Sequence, residues 1–161
     1  MEQPVSESIR IAVPPEAVYR AVANVGDMGR WSPECTGAQV KDVGAAGLQA
    51  GDRFTGRNAV ARRPPWSTRC TVTAAEPGRR FTFEVRGVGL PVAEWSYAFA
   101  PTADGRSTEV TETWVDQRGP LMWVLSTLVS GVRDRSAHNR RTMRVTLARL
   151  KESLESEYEA A

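Results

Sequence analysis

The chain has 161 residues, of which 41% are hydrophobic and 25% charged, the length and composition of one globular domain over 1–161 and not of a disordered segment. Its 21 basic and 19 acidic residues leave a net charge of +2, too even a balance for a nucleic-acid surface without strong clustering. Cys35 and Cys70 sit in no CxxC or His-rich setting and His138 is the single histidine, which argues against a zinc site, a Ser-His-Asp triad and a Cys-His pair built on a second histidine.

A half-buried strand is predicted over 8–13, where Ile9, Ile11 and Val13 alternate with Ser8, Arg10 and Ala12. Pro14-Pro15-Glu16 ends it and opens a short helix over 15–23, because proline fits the first turn and an acidic side chain there suits the helix dipole. A second short helix is expected over 25–31. The punctuation then becomes that of an antiparallel sheet, with strands at 38–42, 53–60, 66–75, 80–86, 94–100 and 108–116 separated by Gly-, Pro- and Asp-containing turns. No long helical pattern interrupts them, so a hairpin meander is the simplest topology. With a period of two, Phe54, Gly56 and Asn58 share one strand face, as do Trp66, Thr68 and Cys70, then Trp95, Tyr97 and Phe99, then Val110, Glu112 and Trp114.

After Gly119-Pro120 the period changes to 3.6, and a long C-terminal helix is predicted over 120–157 with a bend or break near Gly131. A straight rod of that length would measure about 58 Å, longer than a domain of this size. Its apolar stripe is small and polar in the middle, at Ser136, Asn139 and Arg140. A sheet with one apolar face needs a cover, and this helix is the only element long enough to supply it. A curved sheet around a helix with a polar middle implies a partly polar hollow between them.

Taken in order, Ile11-Ala12-Val13-Pro14-Pro15-Glu16-Ala17-Val18-Tyr19, the segment from Asn24 to Glu34, Gly51-Asp52-Arg53-Phe54, Trp95-Ser96-Tyr97-Ala98-Phe99 and Asn139-Arg140-Arg141-Thr142-Met143 resemble the START-like or SRPBCC superfamily. The likeness covers essentially the whole chain and is nearest to the bacterial polyketide cyclase/dehydrase and lipid transport group. It implies an α+β helix-grip fold (START/Bet v 1-like): a curved seven-stranded antiparallel sheet wrapped around a long C-terminal helix, with two short helices after the first strand. It also implies a mostly hydrophobic cavity for lipids, sterols, polyketides or other aromatic molecules, whereas the fold alone leaves carrier, receptor and aromatase roles open.

The residues expected to line such a cavity are Phe54, Asn58, Trp66, Trp95, Tyr97, Trp114, Glu112, Asn139, Arg140 and Met143. Core packing is the plainer reading of any single aromatic among them. Glu112 is a weak catalytic candidate: a carboxyl on an apolar face has its pKa raised, unless Arg140 pairs with it. His138 flanks the stripe and reads as a surface or helix-flank residue. Loops at 60–66 and 86–92 are expected to gate the cavity. The apolar stretch from Leu121 to Val132 suits a lid or a homodimer contact better than a bilayer, being too short to span one. No cofactor, metal or secretion signal is expected, and free thiols fit a cytoplasmic location. The partner expected is a small hydrophobic ligand, with no nucleic acid and no stable membrane insertion; a polyketide aromatase/cyclase or dehydratase is the alternative to a binding protein.

Overall fold

The computed structural model describes residues 3–161; Met1 and Glu2, where the search for a secretion signal begins, lie outside the described residues. Seven strands form one antiparallel sheet: β1 (Val5–Ile11), β2 (Cys35–Val40), β3 (Arg53–Asn58), β4 (Trp66–Glu76), β5 (Arg80–Gly87), β6 (Leu90–Pro101) and β7 (Thr108–Asp116). Their order is β1-β7-β6-β5-β4-β3-β2, so the last six form the expected meander and β1 adds to the far side of β7. Between β1 and β2 lie α1 (Pro15–Ala23) and a 3-10 helix over Val25–Arg30.

Two strand bounds differ informatively from the predicted ones. β1 begins at Val5 and ends at Ile11, because Pro14 and Pro15 pull the chain out of the ladder. Val13 is still buried, and its carbonyl accepts the Thr108 hydroxyl at 2.7 Å. β6 begins at Leu90, and Gly87 pairs directly with Leu90. Val88 and Gly89, both at positive φ (47° and 83°), are all that remains of the loop expected over 86–92. That is a two-residue hairpin whose handedness matches strand twist; the loop expected there is shortened to a tight turn, and Val88 is 85% exposed.

The predicted long helix is two helices, α2 (Pro120–Ser130) and α3 (Arg135–Ala160). Gly131 adopts the left-handed conformation (φ 73°) that ends α2, and Asp134 caps α3 by accepting the Ala137 N–H at 2.8 Å. One face of the sheet is continuous across the ladder: Phe54 pairs with Cys70, Phe83 with Trp95, Trp95 with Trp114, and Tyr97 with Glu112. The main core gathers at one end of this face. There Tyr19 of α1 meets Phe81 and Phe99 edge-on, at 6.2 and 5.7 Å, and Leu147, Leu150 and Leu154 of α3 close over Ile11 and Val110.

Candidate functional site

Towards the start of α3 the packing stops short. Here the helix presents Asn139, Thr142 and Thr146, and the sheet opposite presents Gly56, Thr68, Cys70 and Ala93, so short side chains face short side chains. The result is a cavity of about 330 Å³, within the ~300–1,000 Å³ usual for small-molecule sites. Its large walls are Phe54, Trp66, Phe83, Trp95, Tyr97 and Trp114, and α2 adds Met122, Leu125 and Val129. The outer face of α2 leaves Leu121 and Leu128 exposed, 63% and 66%. Arg63, from the segment before β4, donates to the Leu128 carbonyl at 3.3 Å and lies against Gly131. It thereby ties the 60–66 segment to the C-terminal end of α2, where a cation suits the helix dipole.

Eight of the ten expected lining residues meet at this cavity: Phe54, Asn58, Trp66, Trp95, Tyr97, Trp114, Glu112 and Asn139. Arg140 does not. At ~100° per residue it lies about 70° from the middle of the buried stripe of α3, on the β1 side. Its guanidinium pairs with Glu7 at 2.9 Å, and Arg144 joins the same carboxylate at 3.2 Å. Glu7 is the cross-strand neighbour of Glu112, so it takes the cation that the sequence assigns to Glu112. Met143 is also corrected: it lies near the middle of the stripe, buried against Val5, Ala93 and Trp114, and is not among the residues lining the cavity.

Glu112 is 3% exposed, and its Oε1 accepts the Tyr97 hydroxyl at 2.7 Å. Its other oxygen, Oε2, is buried without a hydrogen-bond partner. Burial pushes the carboxyl up to about 8, against the hydrogen bond from Tyr97. Burial and the adjacent Glu112 raise the Tyr97 phenol well above its ordinary value. Cys70, on β4 of the same sheet, is pushed by burial up to about 12 and is an inert thiol. Among the described residues no group of three or more His, Cys, Asp or Glu is placed to hold a metal ion.

At the cavity rim stands a cluster that pattern reading missed. Glu34 accepts from Arg135 at 2.9 Å and lies 2.7 Å from His138 Nε2. His138 is therefore half-buried in a contact, not a free surface residue. Burial of Glu34 pushes its pKa up, but the His138 hydrogen bond and the Arg135 charge outweigh this and hold it below the ordinary value. Nearby, Arg118 is paired with Asp116 at 2.6 Å and donates to the Ser126 hydroxyl of α2 at 2.9 Å. Glu34 and Arg135 are 101 residues apart, so no local spacing announces them.

Glu34→Gln is expected to cost about 2 kcal/mol, below the 3–5 typical of breaking a fully buried pair because both partners keep some solvent contact. The sign with pH follows from the lowered carboxyl. The stabilisation stands above the unfolded value of 4.5 and is lost as pH falls through the folded value, so the variant and wild type converge in acid. Urea unfolding at pH 7 and below pH 4 checks this.

The sequence pattern of the family described as "Polyketide cyclase / dehydrase and lipid transport" matches residues 2–155. The chain belongs to this family. The solution structure of the Polyketide_cyc-like protein Cgl2372 from Corynebacterium glutamicum superposes with a TM-score of 0.66 at 28% identity, covering 99% of this chain and 97% of that one. DR_A0006 from Deinococcus radiodurans gives 0.68 at 18% identity, covering 96% and 99%. The di-domain ARO/CYC StfQ of the steffimycin biosynthetic pathway gives 0.68 at 14% identity, covering 96% of this chain and 46% of that one; likenesses this remote carry the fold alone. Comparison with curated proteins gives no match. No helix among the described residues is long and apolar enough to cross a membrane.

Proposed function

We propose that this protein binds one small, largely apolar molecule between the sheet and the start of α3, with α2 and the 60–66 segment covering the way in. The observation that carries this reading is the unfilled volume of about 330 Å³ walled by aromatic rings, where a protein built only for stability would pack to interior density. The driving force is desolvation of the guest. A three-ring molecule burying about 400 Å² gains about 10 kcal/mol at ~25 cal/mol per Å², against an association cost of at least ~4 kcal/mol. A dissociation constant of about 40 μM or weaker follows.

The neutral fluorophore N-phenyl-1-naphthylamine tests this. It is expected to brighten and saturate at one per chain, and Thr142→Trp, which fills the hollow from α3, is expected to weaken binding at least tenfold while the fold is retained. Saturation untouched by Thr142→Trp would place the probe elsewhere.

The second reading, a polyketide aromatase/cyclase or dehydratase, draws on the buried Tyr97–Glu112 pair, whose carboxyl at about 8 can hold or release a proton near neutrality. The two readings separate at Glu112→Gln. A carrier keeps its affinity within a few-fold, whereas a cyclase loses turnover and keeps binding.

A further inference from the structure

We propose that the outer face of α2, with the β5–β6 turn beside it, docks on the head-group surface of a bilayer that carries anionic lipids. Leu121, Val124 and Leu128 recur at helical spacing on the side of α2 away from the cavity, exposed 63%, 48% and 66%, and Trp123, 48% exposed, flanks them. Val88 extends the same patch. A Cβ at the neighbouring Gly87 would stand 3.1 Å from the Met122 methyl, so this turn abuts α2. Among the described residues, six of the nine large hydrophobic side chains left exposed stand at this end: Val88, Leu121, Trp123, Val124, Leu128 and Val129. Such grouping marks a surface that meets something apolar, whereas single exposed side chains need no explanation.

The charges framing the patch decide what covers it. Residues 119–132 carry no charge, and the folded chain brings cations to them from three other segments. Successive hairpin turns alternate between the two ends of a meander, so the β3–β4 and β5–β6 turns share the α2 end of the sheet. They contribute Arg62, Arg63 and Arg86, and Arg133 follows α2 directly; all four are exposed. Arg63 is fixed by the Leu128 carbonyl and Arg86 by the Gly89 carbonyl, at 3.3 and 3.2 Å. The neighbouring acids are engaged: Glu34 with Arg135, Asp116 with Arg118, and Asp134 as the cap of α3. The charge order of α3 adds to this asymmetry. Residues 135–149 hold five arginines and no acid, and 152–159 four glutamates and no base. That order opposes the helix dipole, and it turns the positive end of the molecule towards α2. A second copy is a poor occupant, because a two-fold contact would set the arginine rim against its own twin. Anionic head groups take the arginines, while Trp123 and the leucines enter the apolar boundary beneath them. With 11 residues, α2 lies on such a surface and does not cross it.

The test is co-sedimentation of the whole chain with vesicles of phosphatidylcholine, alone or with one-third phosphatidylglycerol. Binding to the anionic vesicles is expected to exceed binding to the neutral ones at least tenfold, and to fall steeply as salt is raised. Arg86→Gln combined with Arg133→Gln is expected to weaken it at least tenfold, at about fivefold per arginine. Arg79→Gln combined with Arg106→Gln removes the same net charge from turns at the opposite end of the sheet, and is expected to weaken it less than threefold. Leu121→Gln combined with Leu128→Gln is expected to weaken it at least tenfold, with the near-ultraviolet spectrum of the folded protein retained. No binding to anionic vesicles, equal losses from the two arginine pairs, or binding untouched by the leucine pair would each overturn the proposal. So would a lipid-free dimer that the leucine pair dissolves, which would make a second copy the occupant. Polyglutamate binding weakened by the same leucine pair would overturn it too, in favour of an acidic protein.

Discussion

Replacing Gly29 by alanine is expected to destabilise the protein by about 3 kcal/mol or more, the range of severe overpacking against backbone. Gly29 lies in the 3-10 helix over Val25–Arg30, which rests on edge strand β2. A Cβ there would stand 2.3 Å from the Thr36 carbonyl oxygen and 2.7 Å from its carbon. Both are main-chain atoms of a strand paired to β3, so neither can swing away as a side chain would. The 3-10 helix would have to lift, carrying with it Met28, Ser32 and Glu34 of the cavity rim. Gly26→Ala supplies the control: its new Cβ would meet its nearest atoms at 3.7 and 4.0 Å, ordinary contact distances, and should change stability by no more than ~0.5 kcal/mol. Urea midpoints of the two variants against wild type decide it. Equal midpoints would mean that the 3-10 helix is not seated on β2 as described.

Glu112→Gln is expected to stabilise the protein at neutral pH, an unusual direction for a buried polar substitution. The folded carboxyl titrates at about 8 against 4.5 for an ordinary glutamate. Between those values the unfolded chain has already lost the proton that the folded chain still holds. The neutral carboxyl's contribution is therefore fully present below about pH 4.5 and is lost as pH rises through about 8. At pH 7 the loss is on the order of 3 kcal/mol, from ~1.4 kcal/mol per pH unit. Glutamine keeps the acceptor for the Tyr97 hydroxyl and has no proton to lose. Its advantage over wild type is expected to be near zero at pH 4.5, to grow steadily to pH 8 and then to level off, as read from denaturant midpoints across that range. A constant difference would mean that Glu112 ionises as freely in the folded protein as in the unfolded one.

The faces of the sheet were legible from sequence because strand side chains alternate strictly and the meander pairs each strand with the next. Which residues stand opposite one another was not legible: the register that sets Tyr97 against Glu112 is fixed only in the folded ladder. What stayed hidden was set by contacts between distant segments. Reading β1 from Ser8 left Glu7 out of the sheet, so Arg140 had no acid in view but Glu112. An apolar stripe also defines only the middle of a helix face. Thr142 lines the cavity from one flank of α3, whereas Met143, near the middle of the stripe, packs against Val5 and Trp114. The Glu34–Arg135–His138 cluster joins the start of β2 to the first turns of α3, a union that only the folded chain creates. Val88 was obscured for another reason: a β-branched residue at positive φ breaks the rule by which such turns are recognised.

The five tryptophans offer the most direct test of where a guest resides. Trp66, Trp95 and Trp114 line the cavity, Trp31 is buried in the main core, and Trp123 is half exposed on α2. Titrating N-phenyl-1-naphthylamine into ¹⁵N-labelled protein is expected to move the indole N–H resonances of Trp66, Trp95 and Trp114 most, leaving that of Trp31 in place. Shifts confined to Trp123 would put the molecule on the outer face of α2, and no saturable shift at any of the three cavity tryptophans would contradict an enclosed apolar site.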